Sequence, residues 1–263
     1  MKKPNYYLIT VVVVLFAMLS GNLSAQDTLS GIVKYQKITK LNFKKNDNPR
    51  WNEMIANLPS EQKSAFVLYF ENEVALYENN PGEQETAPRG LQRAQHVQQM
   101  RKPPRPELKK VYYDLENNKM LEQLNFMTRN FIIESEIEIK PWKLTADKKK
   151  ILDYVCMSAE LKTKKQIITA WFTPQIPVSV GPDKFFGLPG IILAVEKNRE
   201  TIFMATSVEL IPLEKDLLLK PDEGKKVTRE KFDKIIDEKL EEFKKTARDR
   251  GHGRGQGRGH GRR

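Results

Sequence analysis

Residues 171–196 constrain the fold of this chain more than any other stretch. They read WFTPQIPVSVGPDKFFGLPGIILAVE, with several prolines and three glycines between two apolar runs of strand-like composition. Proline fixes φ and lacks a backbone N–H, and glycine reaches positive φ readily, so a segment this dense in both does not continue a helix or a strand. We therefore expect a compact, turn-rich connection between two strands of a hydrophobic core.

This connection also holds the candidate site residues. Each large apolar side chain in it contributes about 1.5–3 kcal/mol when fully buried, and Pro189-Gly190 fits the central positions of a type II turn, where glycine takes the positive φ. Two interpretations stay open: a loop that plugs one end of a sheet core, and the apolar lip of a ligand cavity. The residues assigned to this structural or ligand-contacting site are Trp171, Phe172, Pro174, Gly181, Pro182, Phe185, Gly187, Leu188, Pro189 and Gly190.

Most of the remaining chain has the composition of β-strands. Alternating apolar and polar residues predict strands, with turns at Glu71-Asn72 and Asn117-Asn118 and a polar, basic turn at residues 146–150. The segments predicted to contain strands are residues 29–41, 64–77, 111–127, 131–139, 151–161, 165–173 and 201–210.

Two segments have the period of amphipathic helices. Asn48-Pro49 is typical of an N-cap followed by proline at the first helical position, and Thr228 is a good second N-cap. We predict helices over residues 49–58 and 228–247, one near each end of the fold. The predicted fold class is therefore α+β and β-rich, one domain over residues 26–247 built on an antiparallel curved sheet or open half-barrel.

The N-terminus has the pattern of a secretory signal peptide. Lys2 and Lys3 precede an apolar run at residues 8–19, and small residues follow up to Ala25. The apolar run is shorter than the roughly 20 residues of a membrane-spanning helix. We predict a signal peptide over residues 1–25 and an exported mature chain.

Two further segments are expected to lie outside the packed sheet. Residues 79–110, rich in proline, glutamine and arginine, are predicted to be a mobile excursion between strands. Residues 248–263 carry six arginines against one aspartate and are predicted to be a disordered basic tail. Because an exported protein rarely meets nucleic acid, the tail is expected to contact an anionic envelope surface, and the alternative is a solvating tail with no dedicated partner.

The sequence lacks the common catalytic and metal-binding motifs. It contains no G-x-G-x-x-G opening a helix, no G-x-S-x-G, no H-E-x-x-H and only one cysteine, Cys156, for which its apolar surroundings predict burial. The three histidines, His96, His252 and His260, lie in the predicted excursion and tail, which disfavours a histidine base held rigidly in a cleft. We predict no catalytic residue, no metal site and no cofactor, and a carboxylate-only site stays open.

Part of the turn-rich segment, GPDKFFGLPGIIL, resembles the signature of the GLPGLI family of exported Bacteroidota proteins. The naming motif reads Gly187-Leu188-Pro189-Gly190-Ile191-Ile192 here, with isoleucine in place of the second leucine. A second segment, KKKILDYVCMSA, is similar too, although Asp153 stands where the family has glycine. The resemblance implies a periplasmic or outer-membrane location, often in the company of TonB-dependent receptors, and no established catalytic residues.

The predicted order of strands and helices is in turn similar to the open half-barrel of periplasmic lipoprotein carriers, which holds an apolar ligand. We therefore expect a non-enzymatic envelope protein that binds an apolar ligand or an outer-membrane partner. The alternatives are a structural or accessory subunit of a TonB-dependent receptor or envelope assembly system, and an enzyme with an unrecognised carboxylate site.

Overall fold

The computed structural model describes residues 29–83, 87–164, 166–198 and 200–252. The predicted signal peptide and the tail beyond His252 lie outside these ranges, so both stay predictions. No helix in the described part of the chain is long and apolar enough to cross a membrane.

Twelve strands form one open sheet in these described ranges. They are β1 (Ser30–Lys40), β2 (Glu61–Glu71), β3 (Val74–Asn79), β4 (Glu107–Asp114), β5 (Lys119–Phe126), β6 (Arg129–Glu136), β7 (Lys143–Ile151), β8 (Tyr154–Lys162), β9 (Ile167–Thr173), β10 (Ile191–Lys197), β11 (Thr201–Glu209) and β12 (Lys225–Val227). Their order across the sheet is β12-β6-β5-β4-β3-β2-β1-β11-β10-β9-β8-β7. Because β12 and β7 form separate edges, the sheet does not close into a barrel. The predicted β-rich α+β class with an open antiparallel sheet is confirmed.

Strand β1 joins the two halves of the sheet. It pairs with β2 on one side and with β11 on the other, both antiparallel. The two predicted hairpin turns are present, with Asn72 at φ 51° between β2 and β3 and Asn118 at φ 54° between β4 and β5. Asparagine tolerates this left-handed conformation better than most residues. At the far edge, the three-residue β12 pairs in parallel with β6.

Three α-helices accompany the sheet in the described residues: α1 (Pro49–Ala56), α2 (Arg89–Arg101) and α3 (Arg229–His252). The side chain of Asn48 accepts hydrogen bonds from the N–H groups of Arg50 and Trp51, as predicted for an N-cap. Thr228 caps α3, because its Oγ1 accepts a hydrogen bond from the Lys231 N–H at 3.3 Å. Helix α3 continues to His252, five residues beyond the predicted end at residue 247, so the first five residues of the predicted tail are helical; Arg248 and Arg250 are good helix formers.

The segment 79–110 contains regular structure that the sequence did not predict. Helix α2 occupies its middle, and β4 begins inside it at Glu107. The signal was small: Leu91 and Ala94, three positions apart, are buried, whereas the other described side chains of α2 are exposed or only partly buried. Two buried residues on one face are enough to dock a helix whose remaining composition is polar. Its predicted mobility stays a prediction.

The prediction of a turn at residues 146–150 was wrong. These residues belong to strand β7 at the edge of the sheet, where nearly every side chain is exposed or only partly buried. An edge strand with solvent on both faces shows no alternation of apolar and polar residues, so its sequence does not read as a strand.

Within the part of the chain that the structure describes, the core consists of three clusters of buried side chains. The first joins strands β1–β4 to the connection between β9 and β10. The second lies around Phe172, Phe185, Leu188 and Phe203. In the third, Phe232 of α3 packs between Phe126 and Phe131 of the β5–β6 hairpin, with ring centroids 6.2 and 5.1 Å apart respectively.

Candidate functional site

The connection between β9 and β10, residues 174–190, covers the inner face of the sheet; we call it the β9–β10 loop. Cross-strand pairing places Val33, Leu68, Tyr77 and Val111 in one row on that face. Three alternate loop residues pack against this row and are at most 3% exposed: Ile176, Val178 and Val180. The loop thus supplies part of the hydrophobic core.

Tight turns fold the loop onto the sheet. The N–H of Val178 donates to the Ile176 carbonyl at 2.8 Å, and the N–H of Gly190 donates to the Leu188 carbonyl at 2.8 Å. These are i to i+2 hydrogen bonds, the pattern of γ-turns, with Pro177 and Pro189 at the centres. Gly190 has the predicted positive φ, but at 142° it is outside the type II range. The prediction of a type II turn was therefore wrong.

Two glycines of the loop occupy places that admit no side chain. A Cβ on Gly190 would lie 2.1 Å from the Thr173 carbonyl oxygen, and a Cβ on Gly181 would lie 2.5 Å from the Ile192 Cβ. Both contacts are closer than atoms approach in folded proteins. The glycines therefore let the loop leave β9 and rejoin β10 in close contact with both strands.

The structure divides the predicted site residues between core and surface. Phe172, Phe185 and Leu188 are in the second cluster, and Gly181, Pro182 and Gly190 are also buried. Pro174 and Pro189 are exposed, while Gly187, at φ +88°, approaches Ile139. The indole of Trp171 is half-buried under the Lys149 ammonium, 4.0 Å from its ring centroid. This distribution matches a plug more closely than the rim of an apolar cavity.

The tip of the loop is held by charged groups that the sequence analysis missed; we call them the tip cluster, and they are Glu122, Lys140, Asp183, Lys184, Lys197 and Arg229. Lys184 lies 2.8 Å from one Glu122 oxygen, and Arg229 of α3 binds the other. Glu122 is 1% exposed, so it is a buried carboxylate with a cation on each oxygen. On the other side of the tip, Lys197 binds Asp183 at 2.7 Å. The one signal in the sequence for the burial of Glu122 was its position on the same strand face as the apolar residues Met120 and Leu124.

Lys140 is the most perturbed cation of the tip cluster. Its ammonium donates a hydrogen bond to the Lys184 carbonyl and lies 5.0 and 5.1 Å from the ring centroids of Phe185 and Phe186. The pKa of Lys140 is lowered to about 8, chiefly by burial; the Asp183 charge opposes this effect, and the nearby Lys184 and Lys197 charges add to it. The lowered pKa brings the loss of the Lys140 proton closer to physiological pH.

Two buried tyrosines anchor the backbone of the loop and of the strand that follows it. The Tyr113 hydroxyl donates to the Asp183 carbonyl at 3.0 Å, and the Tyr35 hydroxyl donates to the Ile192 carbonyl at 2.7 Å. Burial raises the pKa of both phenols well above the ordinary value. Each therefore stays a neutral donor at physiological pH.

Cys156 is buried and free, as predicted. Burial raises the pKa of its thiol to about 11, so little thiolate forms at neutral pH. A buried, protonated thiol is inert, and its role here is packing in the first core cluster.

Two clefts flank the loop tip. One, of about 530 Å³, lies between the tip and strands β1–β4 and is lined by residues that include Lys37, Tyr77 and Asp183. The other, of about 500 Å³, lies between the tip and α3 and is lined by residues that include Glu122 and Lys140. Both contain charged side chains, and neither is the wholly apolar cavity of a lipid carrier.

Solved structures with a similar fold include two crystal forms described as "Structure of PNGF-II", in space groups P21 and C2. Each is 14% identical to this chain over 80% of its length, with TM-scores of 0.52 and 0.53. The chain spans about a third of the length of those proteins, 34% and 33%. At this identity the likeness shows a shared fold only.

No curated protein matches the sequence. A family model described as "Protein of unknown function (Porph_ging)" matches residues 160–194. The match spans the end of β8, strand β9, the whole β9–β10 loop and the first residues of β10. The matched segment therefore includes the loop that closes the core.

Proposed function

We propose that this chain is an exported, non-enzymatic cell-envelope protein that binds an outer-membrane protein partner. The observation that carries the proposal is the β9–β10 loop, whose side chains fill the sheet face on which a half-barrel carrier would hold its ligand. A carrier of apolar molecules needs a contiguous apolar cavity behind this loop. Ile176, Val178 and Val180 take up that space, which favours a protein partner over an apolar ligand.

We also propose that this chain belongs to the GLPGLI family. The GLPGLI-like signature, residues 181–193, lies inside the segment matched by the family model, and two of its glycines, Gly181 and Gly190, meet steric demands of the loop. A motif with this role is structural, and it supports membership of the GLPGLI group of exported proteins without implying catalysis. Export itself rests on the signal-peptide pattern of residues 1–25.

Strand β7 is the proposed partner site. It is a nine-residue edge strand, whereas the other edge, β12, has only three residues. An edge strand leaves a row of backbone N–H and C=O groups free to pair with an added strand. Strand β7 carries four lysines and one aspartate, which disfavours pairing with a second β7 and favours an acidic extended segment of the partner.

Such a partner places the protein in the role of an accessory subunit, of a TonB-dependent receptor or of an envelope assembly system. The Arg-rich residues 248–263 are proposed to contact the anionic surface of the envelope, because they carry a dense positive charge.

Export is tested by fractionation of cells that produce the full chain with a C-terminal tag. We expect the protein in the periplasmic or outer-membrane fraction, with a mature N-terminus at Gln26 by mass spectrometry. The variant Val13→Asp interrupts the apolar run and should leave an unprocessed, cytoplasmic precursor. An unprocessed wild-type chain in the cytoplasm would overturn the proposal.

Partner binding is tested by photo-crosslinking in intact cells. A photoreactive phenylalanine analogue at Lys148 of β7 should give one specific crosslinked product in the envelope fraction, and the same analogue at Lys63, exposed in the middle of the sheet on β2, should not. The charge reversal Lys150→Glu should reduce the Lys148 product. Equal products from both positions, or none from Lys148, would rule out β7 as the partner site.

A further inference from the structure

The cleft between the loop tip and strands β1–β4 lies over a part of the inner sheet face that the loop does not cover. There, Lys37 is the direct cross-strand neighbour of both Phe203 and Ser64. Phe66 follows two residues after Ser64 on β2 and is paired with Asn79 of β3. All of them share the face that carries Tyr35 and Leu68 under the loop. The cleft of about 530 Å³ is within the size range of small-molecule sites.

Aromatic rings form much of its surface. Phe66 and Tyr77 stack with their centroids 5.3 Å apart and their planes 7° from parallel, and Phe203 is buried on the other side of Lys37. The Tyr77 hydroxyl is buried beside the Asp183 backbone, which lies within hydrogen-bonding reach of it. The stacked pair of Phe66 and Tyr77 therefore forms an aromatic wall of the cleft.

Among the described charged groups around the cleft, one cation lacks a carboxylate partner. Asp183 is neutralised by Lys197 at 2.7 Å, and Glu107 by Lys109 at 2.8 Å. Lys37 forms no ion pair with a carboxylate of the described residues; its ammonium lies 5.9 Å from the Phe66 ring centroid and 5.4 Å from that of Phe203. Burial lowers the pKa of Lys37 while Asp183 opposes that effect. Because the neighbouring carboxylates already have cationic partners, the half-buried Lys37 ammonium favours the binding of an anion.

We propose that this cleft binds a small organic anion with a flat apolar body. Its charged group lies beside Lys37, and its apolar part packs on Phe66, over the buried rings of Tyr77 and Phe203. The site is separate from the proposed partner strand β7, which lies at the far edge of the sheet. The test of anion binding therefore does not depend on partner binding.

The test uses 1-anilinonaphthalene-8-sulfonate, a fluorescent flat aromatic anion, titrated into the purified mature chain. We expect saturable binding at one site, weakened about tenfold in Lys37→Gln because a charge-assisted contact is lost. The control Lys40→Gln removes an exposed lysine from the same strand and should bind like the wild type. An uncharged analogue, N-phenyl-1-naphthylamine, should bind more weakly and respond equally little to both substitutions.

A second variant keeps the test independent of Lys37. Ser64→Phe places a ring directly opposite Lys37 and fills the cleft, so it should abolish saturable binding. Circular dichroism and thermal unfolding confirm that each variant is folded before titration. Equal affinity of the wild type, Lys37→Gln and Ser64→Phe for the anionic dye, or no saturable binding by the wild type, would overturn the proposal.

Discussion

Gly190 is the residue at which the β9–β10 loop rejoins the sheet, with φ at 142° and no room for a Cβ beside Thr173. We predict that Gly190→Ala lowers the free energy of unfolding by about 3 kcal/mol or more, because it combines backbone strain with a clash that only a shift of β9 relieves. Urea denaturation of the purified chain measures the loss. The matched control is Gly82→Ala, where the nearest atom is 3.8 Å from the added Cβ and the change should be within about 0.5 kcal/mol. Similar losses in both variants would contradict the steric role of Gly190.

Lys140 gives the stability of the fold a pH dependence. Burial lowers its pKa from 10.5 to about 8 in the folded chain. Below pH 8 the lysine is charged in both states, and burial of that charge destabilises the fold. As the pH rises from about 8 towards 10.5, the folded state loses this proton before the unfolded state does, so this group makes the fold more stable with rising pH.

The variant Lys140→Met removes this contribution. Urea denaturation at about pH 7 and about pH 9.5 should therefore show a gain in stability with pH that is larger for the wild type than for the variant. The comparison of the two proteins cancels the effect of the tyrosines, which they share. An identical pH dependence would show that Lys140 titrates normally.

At the scale of elements, Glu122 joins three parts of the fold: strand β5, the loop tip through Lys184, and helix α3 through Arg229. We predict that Glu122→Gln lowers the free energy of unfolding by about 2–3 kcal/mol, because it leaves two cations near a buried neutral group. The control Glu134→Gln removes a carboxylate from the next strand, where its pair with Lys119 is exposed on both sides; this should cost about 0.5 kcal/mol or less. Equal losses would mean that Glu122 contributes no more than a surface ion pair.

The sequence predicted those elements whose local signals agree with their surroundings. Strand β1 alternates because one face is covered, and α1 and α3 begin at side-chain caps that can be recognised from Asn48 and Thr228 alone. Strand β7 and helix α2 were missed, because the edge strand has no buried face and the helix buries only Leu91 and Ala94.

The candidate site divides in the same way. The loop was recognisable because its prolines and glycines lie close together in the sequence. Their local propensities did not distinguish γ-turns from a type II turn. The tip cluster was not recognisable, since Glu122, Lys140, Lys184 and Arg229 meet only through the tertiary fold. Long-range ion pairs leave no periodic signal in a single sequence.

At the scale of the whole molecule, an open sheet whose inner face is apolar needs a cover. Here the cover is divided: α3 covers the β5–β6 end, and the β9–β10 loop covers the middle rows from β1 to β4. The cleft at Lys37 and the edge strand β7 are among the parts that this cover leaves open. The central claim is that the loop is a permanent part of the core and does not open as a gate.

Hydrogen–deuterium exchange of the backbone amides tests this claim most directly. The N–H groups of Val178, Val180, Gly187 and Ile191 are hydrogen-bonded within the loop or to it, and a plug can release them only when the core unfolds. We predict that peptides covering residues 176–188 exchange as slowly as those covering β10, residues 191–197, by global unfolding. Exchange of the loop amides about a hundredfold faster than those of β10, with the strands still protected, would show that the loop opens as a gate and would contradict the account.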